Sequence, residues 1–371
     1  MALEIFDIID FIIIGSGILS FWLLFYRMPA LGSPGEKLPF DRSVKISVLV
    51  PCRNEEHNIA GILDDLSNQD IGLYEIICSD DASNDNTADI AISKGAFLVK
   101  ASDKPDEWMG KSWACRKAAE ASTGDILLFI DADVRLAPDA VRSLLIKMNE
   151  VRCVLSVQPY HTVIKPFEQM SLFPNLVQLA ANGMGKLFRK WKIGLYGPVI
   201  MMTRSDYFAV GGHSSVKESV IEDVAFGSVL KQNSICFENY CGGSLIRFRM
   251  YPEGLVDLYH GWTKNMSSGA VKTPLIPVIS VILWITSQIS VCIKVFQGVA
   301  EENLGLLLVS VALYLLWVAS DMAKAKHTGN FSVFSILFYP LPLTCFVIIF
   351  MVSVLRKIFR ISSVWKGRKI R

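Results

Sequence analysis

The sequence predicts an α/β domain with a mostly parallel central sheet, flanked by transmembrane helices. Three observations carry this. From Val44 to about Lys272, short β-branched runs alternate with amphipathic helical patterns. Long apolar stretches precede and follow that region. The chain of 371 residues is 51% hydrophobic, with a mean hydropathy of +0.38, too apolar for an ordinary soluble protein.

Residues 1–30 read as an N-terminal membrane anchor. Ile8 to Tyr26 is almost uninterrupted apolar sequence ending at Arg27, and no small-residue cleavage site follows. A Pro- and Gly-rich linker over 31–43 separates it from the domain at 44–272. Residues 273–358 hold three further apolar stretches, Leu275 to Phe296, Leu304 to Ser320 and Phe331 to Leu355, and 359–371 form a basic tail suited to an anionic lipid surface. Four full spans would place both termini on one side, yet Arg27 and the tail both ask for the cytoplasm. Two prolines in "YPLPL", Tyr339 to Leu343, offer a way out: they can break the last stretch into a re-entrant hairpin. A multi-pass cell-membrane protein with a cytoplasmic domain is the expectation.

A net charge of +2 carries no nucleic-acid signature. The eight cysteines show no paired zinc spacing and read as reduced, mostly buried thiols facing a cytoplasm.

Inside the domain, "VKISVLV" is a strand and "PCRNEEHNIAGILDDLSNQ" a polar loop followed by a helix with Ile59, Ile62, Leu63 and Leu66 on one face. "YEIICSDD" is a second strand and "ASNDNTADIAISKG" a helix with a glycine stop. A third apolar run, "ILLFI", ends in "DADV". In parallel sheets ligands bind beyond the carboxyl ends of the strands, so Glu55, Asp80, Asp81, Asp131 and Asp133 are expected on one rim. Carboxylates gathered there repel one another unless a cation is present, and hard oxygen ligands select Mg2+ or Mn2+ completed by substrate phosphates. In extended backbone, Asp131 and Asp133 point to one side: one acid takes the ion, the other a water or a sugar hydroxyl. A simple turn uses aspartates in the same way.

"VPCRNEE", "SDDASNDNT", "DADV" and "EDVAFG", in that order, resemble the family 2 inverting glycosyltransferases of the GT-A fold over about Ile46 to Met266. "GKSWAC", "VQPYH", "GWTKN" and the flanking membrane segments resemble the membrane-bound branch that glycosylates carotenoid acids such as diaponeurosporenoate. The resemblance implies that Pro51, Arg53, Asn54, Glu55, Asp80 and Asp81 hold the nucleoside of a UDP-sugar donor, a carboxylate accepting the uracil imide N–H. Asp131 would contact the nucleotide-sugar, and Asp133 with Asp131 the metal. Lys111 would face the diphosphate; an exposed lysine is the alternative, as a surface ion pair is for Arg53. Asp223 matches the base aspartate and Glu222 would orient sugar or acceptor, while both acids also suit the first turn of a helix. No Q-x-x-R-W pentapeptide of the processive members occurs, so transfer of a single hexose per event is expected, with glucose the simplest case.

Trp262 and Lys264 are candidate acceptor contacts, with an interface anchor as the other reading of the tryptophan. "FEQMSLFPNLVQLAANGMGKLFRKWKIG", Phe167 to Gly194, reads either as a helix on the bilayer surface beside a lipid-soluble acceptor or as a core helix. A carotenoid carboxylic acid is the acceptor the resemblance implies. A polyprenyl phosphate, diacylglycerol or sphingolipid is the alternative, and a non-catalytic nucleotide-binding membrane protein a third reading.

Overall fold

The computed structural model describes residues 2–33, 43–359, 363–365 and 368–370. Residues 34–42 of the linker and 360–362, 366–367 and 371 of the basic tail lie outside them. The chain divides into two compact units: one of Ala30–Thr162 and Gly194–Met250, the other of Met1–Pro29, Val163–Ile193 and Tyr251–Arg371. Residues 163–193 and 251–272 therefore group with the apolar helices rather than with the sheet.

The first unit is built on a seven-stranded sheet of order β3-β2-β1-β4-β8-β6-β9. Its strands are β1 (Ile46–Cys52), β2 (Glu75–Asp80), β3 (Phe97–Lys100), β4 (Ile126–Ile130), β6 (Val154–Gln158), β8 (Val199–Thr203) and β9 (Phe237–Cys241). The sheet is mostly parallel, as the alternating pattern predicts; only β8 runs against its neighbours β4 and β6. All seven residues of β1 and all five of β4 are buried, the signature of strands covered on both faces. A second sheet joins β5 (Val134–Leu136), β10 (Ile246–Phe248) and β7 (Tyr160–His161). Helices α2 (Ile59–Ser67), α3 (Thr87–Ser93), α4 (Gly110–Ala121), α5 (Ala140–Val151), α7 (Arg204–Ala209) and α8 (Glu222–Gln232) complete the unit. The face expected of α2 is the one it buries: Ile59, Ile62, Leu63 and Leu66.

One cysteine expectation is corrected. Cys153 and Cys236 form a disulfide, with Cα atoms 5.0 Å apart. Parallel pairing of β6 with β9 sets Val154 opposite Phe237 and so brings the two preceding residues side by side. A separation of 83 residues hid the pair from sequence patterns. Cys52, Cys78, Cys115 and Cys241 are free and buried, and burial pushes the Cys78 thiol up to about 12.

The second unit gathers α1 (Ala2–Leu24), α6 (Leu172–Ala181), α9 (Leu255–Lys272), α10 (Leu275–Ala300), α11 (Leu304–Thr328), α12 (Val333–Leu337) and α13 (Pro340–Ile358). Among the described residues α10, α11 and α13 are long and apolar enough to cross a membrane, and Ile8–Leu24 of α1 is a shorter apolar segment. Helix α1 runs antiparallel to α10: Asp10 pairs with Lys294 at 2.9 Å, Ser287 Oγ donates to the Ile14 carbonyl, and Phe21 packs on Trp284. Helix α6 buries Leu172, Phe173, Pro174, Leu176 and Leu179. This is the core alternative for the 167–194 stretch; its basic end, Lys186–Trp191, forms a 3-10 turn that exposes Lys186, Arg189 and Lys190 and buries Phe188.

The last apolar stretch is broken near its centre, and the prolines that follow the break sit in the first turn of α13, where proline fits. The tip just before them reaches the middle of α10 and α11: Tyr339 Oη donates to the Gln288 carbonyl and its ring stacks on Tyr314. Both ends return to other partners. Asn330 Nδ2 donates to the Val163 carbonyl, and Ser353 Oγ to that of Thr263 in α9.

Close packing of α1 on α10 rests on Gly17, where an added Cβ would fall 2.5 Å from the Leu283 carbonyl oxygen and against Ser287. Gly15 has nothing within 4 Å of that position. Gly17→Ala is expected to lower stability by about 1–3 kcal/mol, with Gly15→Ala neutral or mildly stabilising, as read by thermal unfolding of the detergent-solubilised chain.

Candidate active site

Strand register builds the site. Parallel pairing puts Cys52 level with Asp80, and the register of β1 with β4 sets Leu49 opposite Phe129. The loops after β1, β2 and β4 therefore leave the sheet at one edge, where the carboxyl ends of parallel strands point.

The first two loops brace each other. Arg53 Nη1 donates to the carbonyls of Asp81 and Ala82 and lies 3.8 Å from the Asp81 carboxylate. Asn54 adopts a left-handed conformation (φ 51°), its N–H donating to Ser83 Oγ while its Oδ1 accepts from the Asn84 N–H at 2.9 Å. The Glu55 N–H donates to Thr87 Oγ1 at 2.7 Å, and the Glu55 carboxylate accepts from Asn58. Asp80 and Asp81 are buried, and Asp80 accepts the hydroxyl and N–H of Ser83. Pro51 is the buried floor beside them.

After β4 the backbone turns instead of staying extended. The Val134 N–H donates to the Asp131 carbonyl at 3.1 Å, closing a tight turn before β5. The extended D-x-D geometry expected from the sequence is corrected on that point. The turn buries Ala132 and leaves Asp131 and Asp133 each half exposed.

Asp131, Glu222, Asp223 and Lys111 line one pocket together with Gly197 and His213. Lys111, in the first turn of α4, donates to both oxygens of Asp131 at 2.7 and 2.8 Å and sits 3.6 Å from Glu222. Burial would lower its ammonium pKa, but the two carboxylates outweigh burial and raise it. Lys111 is thus a fixed positive charge in the site and not a loose surface lysine. Asp223 Oδ2 accepts the Gly197 N–H at 3.0 Å and Oδ1 accepts its neighbour Val224 N–H at 2.8 Å, the helix-start role and the site role combined. Burial, then repulsion from Glu222, pushes Asp223 up to about 6 against the pull of Lys111.

Sequence reading misses the support beneath these acids. His213 is buried, its Nδ1 3.0 Å from Tyr207 Oη and its ring stacked on Phe226 at 5.3 Å. Burial and then Lys111 and Arg116 lower it to about 3, so it is neutral. A lone histidine in "GGHSS" gives no signal in sequence. Equally silent is the backbone contact of Gly194 with Gly227, where a Cβ on Gly227 would fall 3.0 Å from the Leu195 nitrogen.

Trp262 and Lys264 lie on α9 in the other unit. Trp262 is 2% exposed, donates its Nε1–H to Ser171 Oγ at 3.1 Å and meets Tyr251 edge-on, so its ring is committed to packing. Lys264 is half-buried.

Among the described residues no three His, Cys, Asp or Glu side chains form a metal-binding group. Carboxylates such as Asp131 and Asp133 are the donor type that a hard divalent ion takes, one or two at a time, completing its shell with water and substrate phosphate.

Known proteins decide the family. Residues 47–212 match the profile of glycosyl transferase family 2. The 4,4'-diaponeurosporenoate glycosyltransferase of Staphylococcus haemolyticus is 34% identical over 293 residues, 77% of this chain and 76% of the relative. The chain belongs to family 2 glycosyltransferases. The protein of the same name from Staphylococcus aureus is 31% identical over 331 residues, 87% of this chain and 88% of the relative. The mannosyltransferase of Pyrobaculum calidifontis, solved in complex with GDP-Man and Mn2+, superposes with a TM-score of 0.54 at 16% identity, covering 94% of this chain and 96% of that one. The fold of this glycosyltransferase is GT-A.

Because α8 reaches the pocket through the Gly194–Gly227 contact, Gly227→Ala is expected to displace it. The expected cost is about 1–3 kcal/mol of stability and a fall in transferase rate, measured by thermal unfolding and by sugar-nucleotide turnover.

Proposed function

We propose that this family 2 glycosyltransferase moves a single hexose, glucose in the simplest case, with inversion from a UDP-sugar to a hydrophobic, membrane-resident acceptor such as a carotenoid carboxylic acid. The observation that carries the reading is the pocket in which Asp223, oriented by two backbone N–H groups, faces the Lys111–Asp131 pair. The relatives named for diaponeurosporenoate support the acceptor class, and the apolar helices support a lipid-soluble partner.

The braced loops of Arg53 to Glu55 and Asp80 to Ser83 hold the nucleoside, their mutual hydrogen bonds fixing the donor's position before the acceptor arrives. Lys111 moves its charge from Asp131 toward the diphosphate as the donor binds. Asp131 and Asp133 would hold a Mg2+ or Mn2+ ion, which would supply Lewis-acid compensation for the departing UDP. Glu222 accepts a hydroxyl of sugar or acceptor. Asp223 lies opposite the leaving group and takes the acceptor's proton as attack proceeds. The Q-x-x-R-W pentapeptide of the processive members is missing from the sequence, which supports one transfer per acceptor.

An ionised carboxylate acceptor needs little proton removal, since its own pKa lies near 4. Acceptor class and base therefore separate by experiment. With a hydroxyl acceptor, kcat/KM is expected to fall as pH drops through about 6, where Asp223 protonates and ceases to be a base, and Asp223→Asn to lose about 100-fold or more. With a polyene carboxylic acid the same variant is expected to lose less than about 10-fold. A large loss with the acid would overturn the carboxylate reading; a small loss with both acceptors would overturn the base assignment. A UDP-release assay with Mn2+ is expected to show Asp133→Asn reduced by about 100-fold or more while Asp139→Asn, at the start of α5, keeps its rate.

A further inference from the structure

Three chain-distant segments of the helical unit meet at one place. The N–H of Lys186 donates to the Tyr26 carbonyl at 2.7 Å. Lys324 Nζ donates to the Phe25 carbonyl at 3.1 Å and lies 4.9 Å from the centre of the Trp22 ring. The end of α1 is therefore gripped by the 186–191 turn and by the last turns of α11. Across residues 22–29, 184–193 and 322–330 the sequence has seven lysines and arginines and no aspartate or glutamate. Arg27, Lys186, Lys190 and Lys326 are exposed there. So are Trp22 (44%) and Tyr26 (40%), and Lys190 lies over the Trp191 ring at 4.5 Å.

The opposite end of the same helices has the reverse sign. Residues 295–309, which join α10 to α11, contain Glu301 and Glu302 and no lysine or arginine. Between the two ends, Leu19, Ile282 and Leu315 are more than half exposed, apolar surface facing outward. A belt of cations and amphipathic aromatics at one end of an apolar bundle, with acids at the other, is the pattern of an interfacial collar.

We propose that this collar binds anionic phospholipid headgroups. Phosphodiester oxygens accept from the lysine and arginine donors while Trp22, Tyr26 and Trp191 sit at the headgroup level. The collar then fixes which leaflet the ends of α1 and α11 face: the one rich in anionic lipid. The inference rests on the helical unit alone and stands whatever sugar or acceptor the sheet unit handles.

The test uses the full chain, reconstituted in vesicles of mixed phosphatidylcholine and phosphatidylglycerol, extracted mildly and analysed for co-purifying lipid by mass spectrometry. The wild type is expected to carry phosphatidylglycerol about fivefold or more above its bulk proportion. Lys186→Glu with Lys190→Glu and Lys326→Glu is expected to bring it down to the bulk proportion, and the matching Lys→Arg triple to keep the enrichment. Should the triple reversal not fold, exposed Lys326→Glu alone is expected to lower the ratio. A wild-type ratio equal to bulk, or one the reversal leaves unchanged, overturns the proposal. Loss of enrichment on adding inorganic phosphate at matched ionic strength would mark a free-phosphate site instead. Retention on an acidic polypeptide resin without lipid enrichment would mark a protein partner, and either result also overturns it.

Discussion

Lys111 shares a pocket with Asp131, Glu222 and Asp223, and the site's arrangement depends on that one cation among three acids. Like charges so close oppose one another's ionisation. The lysine lies 2.7 Å from Asp131 and 3.6 Å from Glu222, and it pulls Asp223 down against burial. In exchange the acids hold the ammonium charged in a partly buried place. Cation and acids are therefore already paired in the pocket.

The fold supplies that constellation from three distant pieces of chain. Parallel pairing of β1, β2 and β4 brings three strand ends to one edge, and the reversed strand β8 begins just after Pro198, whose carbonyl accepts the Asp131 N–H at 2.9 Å. Helix α8 is brought in by glycines: Gly194 against Gly227, and Gly197, where a Cβ would stand 3.3 Å from both Asp223 Oδ2 and Lys111 Nζ. Beneath them the neutral His213, Tyr207 and Phe226 form a rigid floor without adding charge.

Much of this was legible in the residues. The buried runs of β1 and β4, the helix face of α2 and the acids at strand ends follow from period and chain order. What escaped is what depends on long-range contact. The tight turn at Asp131 to Val134 looks like extended chain until its hydrogen bond is seen. The partners of Lys111 lie 20 and 111 residues away, beyond any local spacing. The Cys153–Cys236 bridge and the buried place of Trp262 come from strand register and helix packing. Breaking of the last apolar stretch was legible because proline lacks the N–H a helix interior needs; where it breaks was set by tertiary partners such as Gln288 and Tyr314.

Calorimetric titration of the purified chain with UDP-glucose, with and without Mn2+, tests the central claim most directly. The account predicts saturable binding that tightens at least about tenfold when the ion is present, a coupling of about 1.4 kcal/mol. Affinity unchanged by the ion, or no uptake of any nucleotide-sugar, would contradict it.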